Sequence, residues 1–267
     1  MKFGLKVHHT DLDSLMYIGP EALEFVVFER DLDGTWADNV NFNGPMAVHM
    51  PEKYLDGTLV DLGSPDEDER KRAVEIAKKT IDLSTRLKAG LLVCHPGGVY
   101  PTRKDIGISG LVDSLRQLKA YAGDRVAVTV ENMPDVYWYQ GEVWATSLFK
   151  DWKEIREVLN AASVGMCMDL CHAKLYCNSR HIDLNLYVTV LKHYIRHLHI
   201  SDALGVSSEG LQIGDGEIDF KSLLTVLHDT DAILVPEILD GQKNNGAGFR
   251  MAKTRLVRLG YIREARG

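Results

Sequence analysis

Six ionisable side chains follow short apolar runs at intervals along the chain. They are His49, His95, Glu131, Asp169, His199 and Glu237. Carboxylates and imidazoles are the donors that bind Mn²⁺, Co²⁺, Zn²⁺ or Mg²⁺, and spacing does not choose among these ions. Several carboxylates buried together need a compensating cation, because burying like charges without one is costly. The pattern predicts a divalent metal centre if the fold brings these side chains together.

Strands and helices must alternate along the chain for these side chains to meet. Eight apolar or β-branched runs recur, at 3–7, 25–28, 46–48, 91–94, 126–130, 164–168, 195–198 and 233–235. Six segments between them carry apolar residues at helical spacing, at 66–87, 109–121, 148–159, 184–193, 220–227 and 248–259. This alternation over about 250 residues is typical of the (β/α)8 TIM barrel, whose catalytic groups stand at the carboxyl ends of the strands. We predict an α/β protein with a single TIM-barrel domain spanning residues 1–267, with little helix in its first two units.

The composition narrows the classes of partner. Of 267 residues, 45% are hydrophobic and 26% charged, and 31 Lys and Arg against 38 Asp and Glu give a net charge of −7. Nucleic acid is therefore not an expected partner, since duplex binding needs a broad cationic surface. Apolar runs end after about four residues, far short of the roughly 20 that span a bilayer. The four cysteines lack the spacing of a secreted disulfide framework. We expect a soluble, cytoplasmic protein without membrane contact, and its oligomeric state stays open.

The order of seven short motifs resembles the xylose isomerase-like TIM barrels, which include sugar isomerases, epimerases and the endonuclease IV group. The motifs are Val48-His49-Met50-Pro51, Cys94-His95-Pro96-Gly97, Val130-Glu131-Asn132-Met133-Pro134, Met168-Asp169-Leu170-Cys171-His172, His197-Leu198-His199-Ile200-Ser201-Asp202, Ile213-Gly214-Asp215-Gly216 and Val235-Pro236-Glu237. The resemblance to the epimerase branch implies one metal on four residues, which are Glu131, Asp169, His199 and Glu237. It also implies that the two glutamates serve as catalytic acid and base and that His172 contacts substrate.

The resemblance to the endonuclease IV group implies a different role for two histidines. His49 and His95 are similar to the pair that holds a second zinc with the bridging Glu131. A third zinc would need His172 and an Asp-x-His just before the Ile-Gly-x-Gly turn, where this chain has Ser208-Glu209-Gly210. One metal, or two, is therefore expected rather than three. The missing third site favours substrate contacts for His49 and His95 over second-metal ligation.

A glycine- and asparagine-rich segment, residues 240–248, lies between the eighth apolar run and the last predicted helix. TIM barrels often bind phosphate there, on backbone N–H groups and a helix N-terminus. Lys243 and Asn245 are therefore candidate substrate-binding residues, with Lys243 adding a charge. The alternative is that Asn244-Asn245-Gly246 forms only a turn into the helix.

These observations leave three functional hypotheses. The first is a sugar or sugar-phosphate isomerase or epimerase, in which a metal-stabilised enediolate forms after Glu131 or Glu237 removes a proton next to a carbonyl. The second is an endonuclease IV-like phosphoesterase that cleaves DNA at abasic sites, in which His49, His95 and the bridging Glu131 add a second metal whose hydroxide attacks phosphorus. The third is a non-catalytic binding protein for a small sugar acid, although two carboxylates beside an open metal site exceed what binding requires.

Overall fold

In the computed structural model, which describes residues 1–263, eight parallel strands form a closed barrel. The strands are β1 (Lys2–Val7), β2 (Ala22–Val26), β3 (Met46–His49), β4 (Leu91–Cys94), β5 (Ala127–Glu131), β6 (Gly165–Asp169), β7 (Ile195–Ile200) and β8 (Ile233–Pro236). Each strand pairs with its neighbours in the chain, and β1 closes the barrel against β8. The predicted TIM barrel is confirmed.

Eight α-helices accompany the strands in the described part of the chain. They are α1 (Leu12–Leu15), α2 (Glu67–Leu87), α3 (Ser109–Ala122), α4 (Trp152–Ala162), α5 (Leu170–Arg180), α6 (Leu184–Leu191), α7 (Phe220–Leu227) and α8 (Lys243–Leu259). The connection after β2 contains 3₁₀ turns at Glu29–Asp33 and Ala37–Asn39, which agrees with the low helix content predicted for the first two units. Within residues 1–263, no helix combines the length and apolar character needed to cross a bilayer.

Helix α2 illustrates how the sequence determines an element. The Asp66 side chain caps its start by accepting hydrogen bonds from the N–H groups of Asp68 and Glu69. Acidic residues in the first turn and Arg86 in the last complement the helix dipole. Ala77 and Ile81 are fully buried against the barrel, so burial of this apolar face, rather than intrinsic propensity alone, holds the helix in place.

Two small antiparallel sheets in the described part of the chain lie beyond the carboxyl ends of the barrel strands. Val136–Tyr139 and Glu142–Thr146 form a hairpin after β5, and Val99–Tyr100 pairs with the second of these strands. A second hairpin, Asp202–Leu204 with Ser208–Leu211, follows β7. The indole N–H of Trp138 donates to the Ser207 carbonyl at 3.1 Å, so the two hairpins touch. The same end of the barrel therefore carries both the predicted site residues and these additional strands.

Two elements differ from the sequence-based prediction. Strand β2 begins at Ala22 rather than 25, because Leu23 pairs with Met46 and the ladder with β3 ends at Val26. Helix α5 has no periodic apolar face because its neighbours bury most of its circumference, including Cys171, His172 and Tyr176. Both departures add buried residues that the apolar pattern did not predict.

The interior contains charged groups as well as apolar side chains. Lys6 of β1 pairs in register with Glu24 of β2, and Glu24 lies across the barrel from His197 and His199 of β7. Glu24, His197 and His199 are 0% exposed. Branched apolar residues usually fill TIM barrels, so this polar cluster directly below the carboxyl ends of the strands indicates a specific role.

Candidate functional site

The six side chains predicted to stand at strand ends meet at one end of the barrel. Five of them line a cavity of about 730 Å³, and His199 is buried beside them. Parallel strands bring their carboxyl ends to one face, which is why residues far apart in sequence converge.

The four residues predicted as metal ligands are close enough to share one ion. Donor atoms of Glu131, Asp169, His199 and Glu237 all lie within 4.8 Å of one another. His199 Nδ1 is 3.2 Å from Glu131 Oε2 and 3.2 Å from Glu237 Oε1. These donors suit a divalent ion bound by mixed oxygen and nitrogen ligands.

The tautomer of His199 tests whether a cation fits among these residues. Its Nε2 donates to Glu24 Oε2 at 2.8 Å, so the neutral ring keeps a lone pair on Nδ1. Nδ1 is buried and has no hydrogen-bond partner among the described residues. A lone pair directed at carboxylate oxygens is unfavourable unless a cation lies between them. Without a metal that cation is a proton, because neighbouring acidic groups raise the pKa of His199 well above its usual value although burial opposes this. A divalent ion can take the place of this proton among the same donors, so the residues fit a metal ion.

The pKa of Asp169 reflects the excess of negative charge at this site. Burial, reinforced by the charges of Glu131 and Glu237, raises the pKa of Asp169 to about 7. A cation bound here would offset these repulsions and hold the carboxyl group in its ionised form.

Metal binding is expected to strengthen as the pH rises through about 7. A proton on Asp169 competes with the metal below its pKa of about 7, which costs up to about tenfold in affinity per pH unit for one proton. Calorimetric titration with Mn²⁺ at pH 6, in two buffers of different ionisation enthalpy, should detect proton release. Equal heats in both buffers would contradict this expectation.

Glu131 also faces three further imidazoles. His49 Nε2 is 3.3 Å and His95 Nε2 3.5 Å from Glu131 Oε2, and His172 Nδ1 is 3.4 Å from Oε1. His49 Nδ1 contacts the carbonyl oxygen of Met50 at 3.0 Å, which places the proton of a neutral ring on Nδ1 and a lone pair on Nε2. His49, Glu52 and His95 form another group of donor atoms within 4.8 Å of one another. The geometry around Glu131 therefore offers donors for a second ion.

His172 stands at the start of α5, where it can meet a bound molecule. Asp169 caps this helix by accepting the His172 N–H at 2.6 Å, and His172 Nδ1 contacts the Asn132 carbonyl at 2.9 Å. Burial alone would lower the pKa of His172, but the charges of Asp169 and Glu131 raise it to about 9. Its Nε2 is 3.9 Å from Glu209 Oε2. The predicted substrate-binding residue therefore lies in the cavity wall.

Lys243 and Asn245 lie apart from this cluster. Lys243 is 65% exposed and pairs with Asp240 at 2.9 Å. Asn244, Asn245 and Gly246 have positive φ angles, and the exposed Asn245 uses its carbonyl oxygen to accept from Arg250 at 2.7 Å. The segment thus forms a left-handed turn into α8, and the structure places Gln242 and Phe249 in the cavity wall instead of the two predicted residues.

Four charged residues of the site were not predicted from the sequence. They are Lys6, Glu24, Glu52 and Glu209. All except Glu24 line the cavity, and Tyr137, which also lines it, donates to Glu52 at 2.9 Å. Although burial opposes it, the charges of His95 and His49 lower the pKa of Glu52 to about 2. An ionisable residue inside a barrel strand was the available signal for Lys6 and Glu24, whereas Glu52 and Glu209 lie in connections between barrel strands and helices.

Replacing Glu24 by Gln is expected to weaken metal binding by about 10- to 100-fold, the usual effect of losing a hydrogen-bond partner behind a ligating histidine. Glu24 accepts from both His197 and His199, and its carboxylate pairs with Lys6 at 3.5 Å. Both rings donate to the same oxygen, Oε2, so a Gln oxygen could still accept from them, but Gln lacks the negative charge that strengthens these hydrogen bonds and forms the ion pair with Lys6. Competition with a chelating dye measures the affinity, and Glu142→Gln, at an exposed hairpin position, provides the control. Equal affinities in both variants would contradict the role of Glu24.

Comparisons with known proteins agree with this architecture. A family profile described as xylose isomerase-like TIM barrel matches residues 40–255. The probable endonuclease 4 of Malacoplasma penetrans is 24% identical over 211 residues, which cover 73% of this chain and 67% of the relative. The solved structure of a D-tagatose 3-epimerase-like protein superposes with a TM-score of 0.73 at 20% identity, covering 98% of this chain and 99% of the other. Endonuclease IV from Thermus thermophilus superposes with a TM-score of 0.67 at 15% identity, covering 97% and 100%.

The structural similarities show a shared fold, and the names of these proteins include both of the enzyme classes considered above. Relatives named as endonucleases do not support the expectation that nucleic acid is excluded as a partner.

Proposed function

Because the chain belongs to the xylose isomerase-like TIM barrel family, we propose that it is a metal-dependent isomerase or epimerase of a small sugar. Glu131, Asp169, His199 and Glu237 would hold the ion. A bound divalent ion supplies Lewis-acid stabilisation of negative charge that develops on a carbonyl oxygen.

The observation that carries the proposal is the placement of two glutamates around His199. Glu131 and Glu237 approach Nδ1 from strands β5 and β8, each at 3.2 Å. Carboxylates on two sides of one bound molecule can remove a proton from carbon and return one, which is the requirement for isomerisation or epimerisation. Lys6 forms an ion pair with Glu237. Although burial opposes it, the charges of His199 and Lys6 lower the pKa of Glu237 and so keep this carboxylate ready to accept a proton.

The charge of the cavity wall supports a neutral, hydroxyl-rich substrate. Within residues 1–263, seven carboxylates line the cavity, whereas the permanent cations there are Lys6 and Arg30. Carboxylates accept hydrogen bonds from sugar hydroxyls but repel phosphate groups. Lys243, the predicted phosphate contact, pairs with Asp240 instead. Among the predicted substrates, these features favour a sugar over a sugar phosphate.

Exchange of carbon-bound hydrogen tests the proposal. The purified protein, loaded in turn with Mn²⁺, Co²⁺, Zn²⁺ and Mg²⁺, is incubated in D₂O with a panel of ketoses and aldoses and followed by NMR. We expect deuterium to enter one carbon next to the carbonyl, together with formation of the isomer or epimer. Absence of exchange with every sugar and ion, combined with cleavage of abasic duplex DNA, would overturn the proposal.

A second candidate function is an endonuclease IV-like phosphoesterase. It is favoured by the contacts of His49 and His95 with Glu131, because a carboxylate shared by two ions is typical of two-metal phosphoesterases. The negative cavity wall opposes binding of a phosphate backbone. Glu209, rather than an Asp-x-His pair, faces His172. Abasic DNA cleavage in the assay above separates this function from the first.

A further inference from the structure

A second cluster of potential ligands lies beside the mouth of the barrel, on different strands from the site already described. His8 and His9 directly follow β1, and Asp31 lies in the 3₁₀ turn after β2. His8 Nε2 is 3.1 Å from Asp31 Oδ2, and His9 Nε2 is 3.4 Å from Asp31 Oδ1. Donor atoms of all three residues lie within 4.8 Å of one another. Two consecutive histidines thus direct the same ring nitrogen toward one carboxylate.

The surroundings fix these three side chains. Asp31 is 7% exposed, and its Oδ2 accepts the Phe28 N–H at 2.8 Å. The ring of Trp36 stacks on His9 with centroids 4.7 Å apart and an angle of 14°. His8 Nδ1 lies 2.8 Å from the hydroxyl oxygen of Thr10 and accepts a long hydrogen bond from the Thr10 backbone N–H at 3.4 Å. A metal on Nε2 needs the proton on Nδ1, where the Thr10 hydroxyl can accept it, and a hydrogen bond from the second ring nitrogen is the usual arrangement behind a ligating histidine.

We infer that His8, His9 and Asp31 form a separate binding site for a divalent transition metal. Two imidazoles and one carboxylate suit Zn²⁺, Co²⁺ or Ni²⁺ better than Mg²⁺ or Ca²⁺, which prefer oxygen donors. Zinc sites with three protein ligands keep a position for water or another ligand. His8 belongs to the cavity wall, so the additional ligand would be water or a hydroxyl or carboxylate oxygen of a molecule in the cavity.

This site does not depend on the proposed isomerase activity. Its residues come from the ends of β1 and β2, whereas the four central ligands come from β5 to β8. The competing explanation is a metal-free cluster in which the imidazoles donate hydrogen bonds to Asp31. Counting bound metal distinguishes the two explanations, because a hydrogen-bonded cluster binds none.

Metal content of chelator-stripped and Zn²⁺-reloaded protein tests the inference. After desalting, the parent protein is expected to retain one equivalent of Zn²⁺ more than His9→Ala and Asp31→Asn. His228→Ala, which removes a 70% exposed histidine, should match the parent. Circular dichroism checks that each variant is folded. Equal zinc contents in the parent and both site variants would overturn the inference.

A measurement on the unmodified protein complements the metal counts of the variants. With ¹⁵N-labelled histidine, Zn²⁺ is expected to shift the Nε2 resonances of His8 and His9. Assignment uses the His9→Ala spectrum for one ring and a His8→Ala spectrum for the other. Unchanged Nε2 resonances of both residues at saturating Zn²⁺ would show that the cluster binds no metal and would refute the site.

Discussion

Replacement of Glu237 by Gln is expected to lower product formation by about 10³-fold, within the range that loss of a general acid or base produces. Gln has the size of Glu and retains an oxygen donor, but its amide cannot take a proton from carbon. Metal is kept saturating, because the substitution also removes the ion pair with Lys6. NMR follows product formation and solvent deuterium incorporation in the same sample, and elemental analysis verifies the metal content.

The Glu237→Gln and Glu131→Gln variants are expected to lose exchange with different isomers. If each serves one face of the substrate, metal-loaded Glu237→Gln still exchanges deuterium into one isomer through Glu131, without forming product. Glu131→Gln should show the opposite preference. Glu142→Gln, on the exposed hairpin, is the matched control. Turnover at the parent rate in either metal-loaded site variant would exclude that glutamate as acid or base.

The residues at the carboxyl ends of the strands are the part of the site that the sequence predicts best. Glu131 and His199 could be located because each closes an apolar run, and a parallel barrel brings such ends to one face. No contact between them had to be known in advance. Their convergence within 4.8 Å, together with Asp169 and Glu237, follows from the topology alone.

Glu24 was not predicted as a site residue, because the sequence analysis located strands by their continuous apolar residues. The strand was predicted over 25–28, where the apolar residues are continuous, but pairing with β3 begins at Leu23 and brings Glu24 inside. The reason lies in tertiary contacts, since Glu24 is stabilised by His197, His199 and Lys6. A single strand contains no information about partners on the opposite side of the barrel.

The sequence predicts where the segments that connect strands and helices lie, but it does not predict where their side chains point. The segment around Lys243 was expected to precede the last helix, but α8 already begins at Lys243 and is interrupted by a left-handed kink at residues 244–246. Left-handed conformations at Asn244 and Asn245 turn the chain so that neither Lys243 nor Asn245 reaches the cavity wall. Conversely, Tyr137 reaches it from a hairpin whose aromatic residues equally suit packing. Side-chain direction in loops depends on individual φ and ψ angles, which periodicity does not specify.

Replacing His49 by Ala is expected to remove one equivalent of metal from the protein and to leave the central ion in place. The hydrogen bond to Met50 leaves a lone pair on His49 Nε2, and that atom is 3.3 Å from Glu131 Oε2. A cation shared with His95 and Glu131 would satisfy this lone pair, as it would for His199. Loss of one imidazole should empty this site, because few other protein donors remain.

The substrate-contact role favoured by the sequence predicts the opposite result, namely an unchanged metal content with weaker catalysis. His95→Ala is the companion variant, since its ring is also 3.5 Å from Glu131. His228→Ala controls for loss of an exposed histidine. Elemental analysis at neutral pH that gives equal metal contents for the parent, His49→Ala and His95→Ala would exclude the second ion.

The number of bound metal ions does not by itself determine the reaction, because a second ion changes neither the pair of glutamates around His199 nor the negative cavity wall. A two-metal protein that exchanges sugar hydrogens and leaves abasic DNA intact would therefore still be an isomerase.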